Sequence, residues 1–462
     1  MGSVRALFHF LHLPVVSCLL CRLPIRPVGT NMRQPQEHDL TLSGVAGEVR
    51  DFYNRYPYPP PVDNLEKYRR LWQDPARRRA DYHLLWPARP YTEDRSILIA
   101  GCGTSQAAKH ALRWPEAQIV GIDFSATSVR CTEHLKRKYN LRNLQVYQLP
   151  IEQAGDLNTK FDSIVCTGVL HHLADPDVGL RALRGVLKRD GAIHIMVYAP
   201  YGRTGIYMLQ EFCKRIGISA GDLAIRDLIG TLMALPPGRP LEALLREAPD
   251  FRHEATLADA DALLHPLDRA YSVPQFFDFI ERGGLTFGRW VRQAPYTPRC
   301  GALANISLTS RMAQLPLPQQ YAAVELFRGT MIRHSAVAYR NDNPDAAQSV
   351  SFDGDAWPGY VPNRMSDTIC VDERLPAGAA AVLINRSHTY KDLFMPIDST
   401  ERSLLDAIDG NNSIGDIVKR HLPSSNKKSR RGVARAFFER LWLYDEVVFD
   451  GSEQTERHPA AR

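Results

Sequence analysis

The chain has 462 residues, long enough for two or three domains with sizeable cores. Hydrophobic residues make up 44% and charged residues 23%, which excludes a disordered or fibrous polypeptide. Lys and Arg (57) exceed Asp and Glu (51) by a formal charge of only +6, too dilute over this length to argue for nucleic acid.

Residues 1–31 contain a weak apolar run, Ala6 to Cys21, preceded by Arg5 and broken by His9, His12 and Pro14. It is too short and interrupted to span a bilayer, so no stable membrane insertion is expected. Three readings stay open. The segment is a disordered tail upstream of a start at Met32, a membrane-associated helix, or an export signal, since Val15-Val16-Ser17-Cys18 resembles a lipoprotein cleavage site. The first is preferred. Cys18 and Cys21 have metal-ligand spacing without a second pair nearby, and the other cysteines (102, 131, 166, 213, 300, 370) make no framework, so reduced thiols are expected.

Residues 32–90 read as a helical segment. An amphipathic helix starts near Gly44 and is stopped by the prolines of Tyr56-Pro57-Tyr58-Pro59-Pro60-Pro61, and helical signals resume from Asn64 to Leu85. Residues 91–340 alternate short apolar strands (97–100, 118–122, 144–148, 161–166, 192–198) with helices (106–112, 126–139, 177–187). Such alternation predicts an α/β fold, a mostly parallel sheet of seven strands with helices on both faces. A helical insertion is predicted over 200–272, then a helix at 274–282 and strands at 285–290 and 335–339. A composition shift at 341–355 marks a boundary. The tail, 356–462, begins with predicted loops, followed by helices at 399–408, 413–422 and 428–443 and a strand at 446–449, a small winged-helix-like α+β pattern.

The first strand runs into Ala100-Gly101-Cys102-Gly103-Thr104. Gly101 permits a tight turn, and Gly103 lets a ligand approach the backbone. A dinucleotide fingerprint places a third glycine at 106, against pyrophosphate; here it is Gln106, which argues against a nicotinamide enzyme. Twenty residues after Gly103, Asp123 ends the second strand where a carboxylate accepts ribose hydroxyls, and Phe124 beside it suits adenine or ribose. A third run, Phe161 to Leu173, ends in Cys166-Thr167-Gly168-Val169-Leu170-His171-His172.

Together these runs resemble the class I S-adenosylmethionine-dependent methyltransferases over residues 96–340. The resemblance implies methyl transfer with S-adenosyl-L-methionine as cofactor. It places Thr167 and Leu170 along the methionine arm and Ile151 and Glu152 beside adenine. Many relatives carry an Asp in that loop where this chain has Pro150. An N-terminal helix folds over the cofactor in similar enzymes, so Tyr53, Tyr56 and Tyr58 are candidate lid or substrate contacts. His171 is a candidate base for an acceptor that must lose a proton, against the reading that it and His172 cap a strand end. Tyr201 and Arg203, after the fifth strand, are candidates for catalysis and for pairing with an anionic acceptor group, against that of a solvated loop.

The expected acceptor is a small molecule, such as a biosynthetic intermediate. The chain lacks the Asn/Asp-Pro-Pro-Tyr run of amino-group enzymes, Cys166 has no neighbouring proline of the cytosine-5 type, and no carboxylate set for a catalytic metal is evident, so none is expected. Two alternatives remain: a protein or peptide methyltransferase whose tail captures the polypeptide, and a non-catalytic cofactor-binding regulator. The tail also resembles the peptide-chaperone-like (PqqD-like) modules of pyrroloquinoline quinone biosynthesis, through the spacing of Leu404-Leu405, Ile408, Ile414, Ile417 and Phe437-Phe438. A peptide or protein partner is therefore admitted there. The basic run Lys427 to Arg435 reads as a solvated helix face rather than a nucleic-acid patch. An intracellular cofactor makes the cytoplasm the expected location.

Overall fold

The computed structural model describes residues 37–218, 262–343, 350–388, 390–422 and 427–452, with five more between 224 and 231. The apolar run of residues 6–21 and most of the 200–272 insertion lie outside them. Thr41–Arg462 cluster as one compact unit.

Seven strands form one sheet: β1 (Ser96–Ala100), β2 (Gln118–Asp123), β3 (Leu144–Gln148), β4 (Phe161–Thr167), β5 (Leu187–Tyr198), β6 (Leu285–Trp290) and β7 (Arg333–Arg340). Their order is β3-β2-β1-β4-β5-β7-β6. β1 to β5 run parallel, and β7 inserts antiparallel between β5 and β6. This is the Rossmann-like architecture expected from the sequence. Alternation along β1 shows why both faces need cover. Leu98 and Ala100 join a core with Leu180, Phe276 and Phe279, whereas Ile97 and Ile99 join the opposite core with Ala107 and Trp114.

Helices α1 (Glu37–Arg55), α2 (Glu66–Trp72) and α3 (Pro75–Leu85) precede the sheet. Asp74 caps α3, accepting from the Ala76 amide at 2.9 Å, with Pro75 at the first helical position. The alternating helices are α4 (Gln106–Arg113), α5 (Ala126–Lys138) and α6 (Pro176–Val186), and α7 (Thr204–Arg215) follows β5.

The tail corrects one expectation. Its first part holds strands rather than loops alone: β8 (Val361–Arg364), β9 (Thr368–Val371), β10 (Ala381–Asn385) and β11 (Met395–Ile397). β9, β10 and β11 form a small sheet, and β8 pairs antiparallel with β12 (Val447–Asp450). These strands have three to five residues, and Pro362 and Pro396 sit inside two of them, so no period of two can build up. The predicted helices appear as Ser399–Asp406, Ile414–His421 and Lys427–Leu443. Asp398 and Glu401 form a reciprocal capping box on the first, and Ser413 caps the second. Leu404, Ile414, Ile417, Phe437, Phe438 and Leu441 bury against one another, so the tail owns a core.

Candidate functional site

At the C-terminal ends of β1, β2 and β4 the chain makes three tight turns around one cavity of about 300 Å³. Gly101 and Gly103 adopt left-handed φ of 70° and 53°, which a side chain would strain. The Gly101 and Cys102 amides both donate to the Ile122 carbonyl at 2.9 Å, folding the turn back onto β2. Asp123 then organises the loop: its Oδ2 accepts from the Gly103 amide at 2.8 Å and its Oδ1 from the Ser125 amide at 2.9 Å. Burial pushes this carboxyl up to about 6, with those two amide bonds pulling the other way.

The cavity is lined by Gly101, Gly103, Asp123, Phe124, Ile151, Glu152 and Thr167, so the structure gathers seven of the eight sequence-predicted cofactor residues. The eighth, Leu170, is fully buried in the core. It begins the one-turn helix Leu170–His172, which takes its side chain inward while His172 faces the cavity.

The end of α1 and the segment after it cover the opening. Tyr53, Tyr58 and Pro59 line the cavity with Ala46 and Val49. Asn54 holds α1 to the start of α5: its Oδ1 accepts from Ser125 Oγ at 3.0 Å and its carbonyl from Thr127 Oγ1 at 3.1 Å. Thr104 Oγ1 donates to the Pro59 carbonyl at 2.7 Å. A Cβ at Gly103 would stand 2.8 Å from the Tyr58 carbonyl oxygen, so the lid segment and the glycine turn fit only without a side chain there. Tyr56 is buried elsewhere, 5.3 Å from the Phe52 ring and away from the cavity lining.

Three other expectations are corrected by placement. Tyr201 is 38% exposed and lies outside the cavity lining. Arg203 is 1% exposed and points inward, its guanidinium 3.6 Å above the Tyr198 ring and 3.4 Å from Asp268 Oδ2. Both belong to the three-residue turn Tyr201–Arg203, whose ~120° per residue sends the two side chains in different directions. His171 is wholly buried behind the cavity wall, 4.1 Å from the His172 ring and 4.2 Å from the Tyr198 ring. Burial holds its imidazole well below the usual range.

Sequence reasoning missed Met196, Tyr198, Ile332 and Arg333, which extend the cavity past the residues suited to the cofactor. Ile332 and Arg333 stand at the entry to the antiparallel strand β7, whose strand pattern is local but whose place beside β5 is not. A buried pair supports them from behind: His334 Nε2 lies 3.0 Å from Glu325 Oε1, and Glu325 Oε2 accepts from the Val273 amide at 2.8 Å. Also missed was His265-Pro266-Leu267-Asp268, which packs behind His172.

The donor set fits S-adenosylmethionine. Two glycines leave backbone free for close approach, a buried carboxylate stands at the end of β2 for ribose, and an apolar loop at Ile151 flanks Phe124 for adenine.

Comparison with known proteins agrees. Residues 98–193 match a methyltransferase-domain family. An uncharacterized protein of a Synechococcus species is 31% identical over 290 residues, covering 61% of this chain and 69% of its own. A ubiquinone biosynthesis O-methyltransferase of Glaesserella parasuis is 29% identical over 147 residues, or 29% of this chain and 61% of that one. In fold, PKMT2 from Rickettsia typhi, solved with AdoHcy, superposes with a TM-score of 0.59 at 15% identity, covering 85% of this chain and 77% of that one. The chain belongs to the class I S-adenosylmethionine-dependent methyltransferases. It is an enzyme of that class with S-adenosylmethionine as its cofactor.

Among the described residues no helix is long and apolar enough to cross a membrane.

Proposed function

We propose that the enzyme methylates a small molecule bearing an anionic group. The observation that carries this reading is the far end of the cavity, where Met196, Tyr198 and Ile332 make an apolar wall and Arg333 supplies a cation. Arg333 makes no ion pair among the described residues, so its charge is free to meet a carboxylate or phenolate. The name of the Glaesserella relative, a ubiquinone biosynthesis O-methyltransferase, supports a biosynthetic intermediate as acceptor.

S-adenosylmethionine supplies, when bound, an activated methyl group for in-line displacement by a nucleophilic atom. The chain's own part is largely positioning. Gly101 and Gly103 would leave room for the methionine arm, with Thr167 beside it. Asp123 would accept hydrogen bonds from the ribose hydroxyls, and Phe124, Ile151 and Glu152 would enclose adenine. Tyr53 and Tyr58 exclude water from above. Tyr198, Ile332 and Arg333 orient the acceptor, and the imidazole of His172 borders the place where it reacts. The tail is assigned to recognition. Its chaperone-like pattern favours a partner or acceptor carrier, and in its basic run Arg431 and Arg435 are paired with Asp355 and Asp353. The cytoplasm is the proposed location.

Incubating the protein with methyl-labelled cofactor and a fractionated cell extract tests the acceptor class. Label in small anionic compounds is expected. Label in polypeptide would replace this reading with the peptide one, and no transfer to any fraction would favour a regulatory role.

A further inference from the structure

Behind the cavity wall, three side chains from two distant stretches converge, each with at least one polar atom unpartnered among the described residues. His171 and His172 are 0% and 4% exposed, and the Asp268 side chain is 2% exposed. One ligand atom from each lies within 4.8 Å of the others. Both ring nitrogens of His171, Nε2 of His172 and Oδ1 of Asp268 are buried with no hydrogen-bond partner among the described residues. Buried polar groups are rarely left dry, so this convergence calls for an occupant.

The surrounding bonds say which atoms are acceptors. His172 Nδ1 lies 2.8 Å from the Leu267 carbonyl, which can only accept, so the proton sits on Nδ1 and Nε2 presents a bare lone pair. Asp268 Oδ2 is engaged by Gln210 Nε2 at 3.2 Å and Arg203 Nη2 at 3.4 Å, which orients the carboxylate and leaves Oδ1 to the cluster. No bond among the described residues fixes the proton of His171, so the tautomer that turns a lone pair to the cluster is open to it. His265 is excluded, because its Nδ1 accepts from the Leu267 amide at 3.0 Å and its proton is therefore on Nε2. In that tautomer three lone pairs meet within 4.8 Å of one another, more than a single water, with two hydrogens, can satisfy. A cation suits them.

We propose that His171, His172 and Asp268 hold one divalent metal ion of the class that takes mixed imidazole and carboxylate ligands, with Zn²⁺ as its representative. Bonds of about 2.1 Å place tetrahedral ligand atoms about 3.4 Å apart, so closing on an ion needs only modest side-chain rotation. The oriented carboxylate and the carbonyl-fixed imidazole supply the outer hydrogen bonds that metal ligands commonly have. The ion would tie residues 265–268 to the turn Leu170–His172 and hold the His172 ring in the cavity wall. This site does not depend on which acceptor is used.

The test uses the full-length chain, stripped with chelator and titrated with Zn²⁺, and with Co²⁺ followed by visible absorption. One ion per chain is expected, with affinity falling about a hundredfold or more in His171→Gln and in Asp268→Asn. Titration with S-adenosylhomocysteine reports whether each variant is folded. The Co²⁺ form should lack a thiolate charge-transfer band, a readout on the unaltered chain that holds even where a variant does not fold. Absence of stoichiometric binding, equal affinity in folded variants, or a thiolate band that moves the ion to a cysteine would each overturn the proposal.

Discussion

At the scale of single residues, Asp123 joins the sequence motif to its chemistry. Its carboxylate is 8% exposed, bonded to two backbone amides, and shifted up to about 6 by burial. The ionised form is the one that would accept hydrogen bonds from the ribose hydroxyls in the proposed cofactor site. Protonation as pH falls through about 6 should therefore weaken S-adenosylhomocysteine binding about tenfold per pH unit. Asp123→Asn should bind weakly at every pH and lose that dependence. Calorimetric titration from pH 5 to 8 measures both, and a wild-type affinity flat over that range would break the link. The raised pKa has the opposite effect on the empty protein. Its fold binds the proton more tightly than the unfolded chain does, so Asp123 costs stability as pH rises from the ordinary carboxylate range through about 6. Gly101, Gly103 and Asp123 were legible in the sequence because their roles depend on local turns and a fixed spacing. Arg333 and Asp268 were not. Each reaches the site through a fold-back that leaves no short-range pattern.

At the scale of elements, α1 and the tyrosine-proline segment form the cover. The apolar pattern from Gly44 and the helix-stopping prolines marked the helix and its end. Which tyrosines face the cavity was decided by packing: Tyr53 and Tyr58 line it, whereas Tyr56 turns to Phe52. Asn54 makes the attachment through two bonds to α5. Removing its side chain should lose a bond worth about 1 kcal/mol and loosen the lid. Asn54→Ala is expected to weaken S-adenosylhomocysteine binding about fivefold, mainly through faster dissociation, and to raise proteolytic cleavage near residues 44–58. Unchanged dissociation and cleavage would show that α1 is no cover. Tyr201 and Arg203 illustrate the reverse case. Their position after β5 suggested the crevice, but one short turn pointed the first to solvent and the second into a buried pair with Asp268.

At the scale of the whole molecule, the tail has its own core yet is fastened to the catalytic domain by a buried polar seam. Asp445 is 2% exposed. Its Oδ1 lies 3.1 Å from Arg289, while its Oδ2 accepts from the amides of Gln293 and Ala294 at 2.6 and 2.9 Å. Burial raises the Asp445 carboxyl and lowers the Arg289 guanidinium, the mark of a pair that has given up much hydration. Such a pair adds little over an apolar contact, but breaking it strands a buried charge. Asp445→Asn keeps a residue suited to the left-handed φ of 59° and removes only the charge. It should destabilise the protein by about 3 kcal/mol in denaturant unfolding, and adding Arg289→Met should recover part of that loss. A single variant as stable as wild type would mean that the seam does not couple the two parts.

The sequence alone determined the sheet, because alternating apolar runs are local and periodic, and its glycine turn, Asp123 and the 161–173 run carried the resemblance that implied the cofactor and the class of reaction. The tertiary structure decided the rest. It threaded β7 between β5 and β6 and so brought Arg333 to the cavity. It folded residues 265–268 behind the paired histidines, and it joined the tail through Asp445. These contacts span 60 to 160 residues of chain, roughly, where no pattern of neighbours carries information and only the closing of two buried surfaces selects the partner.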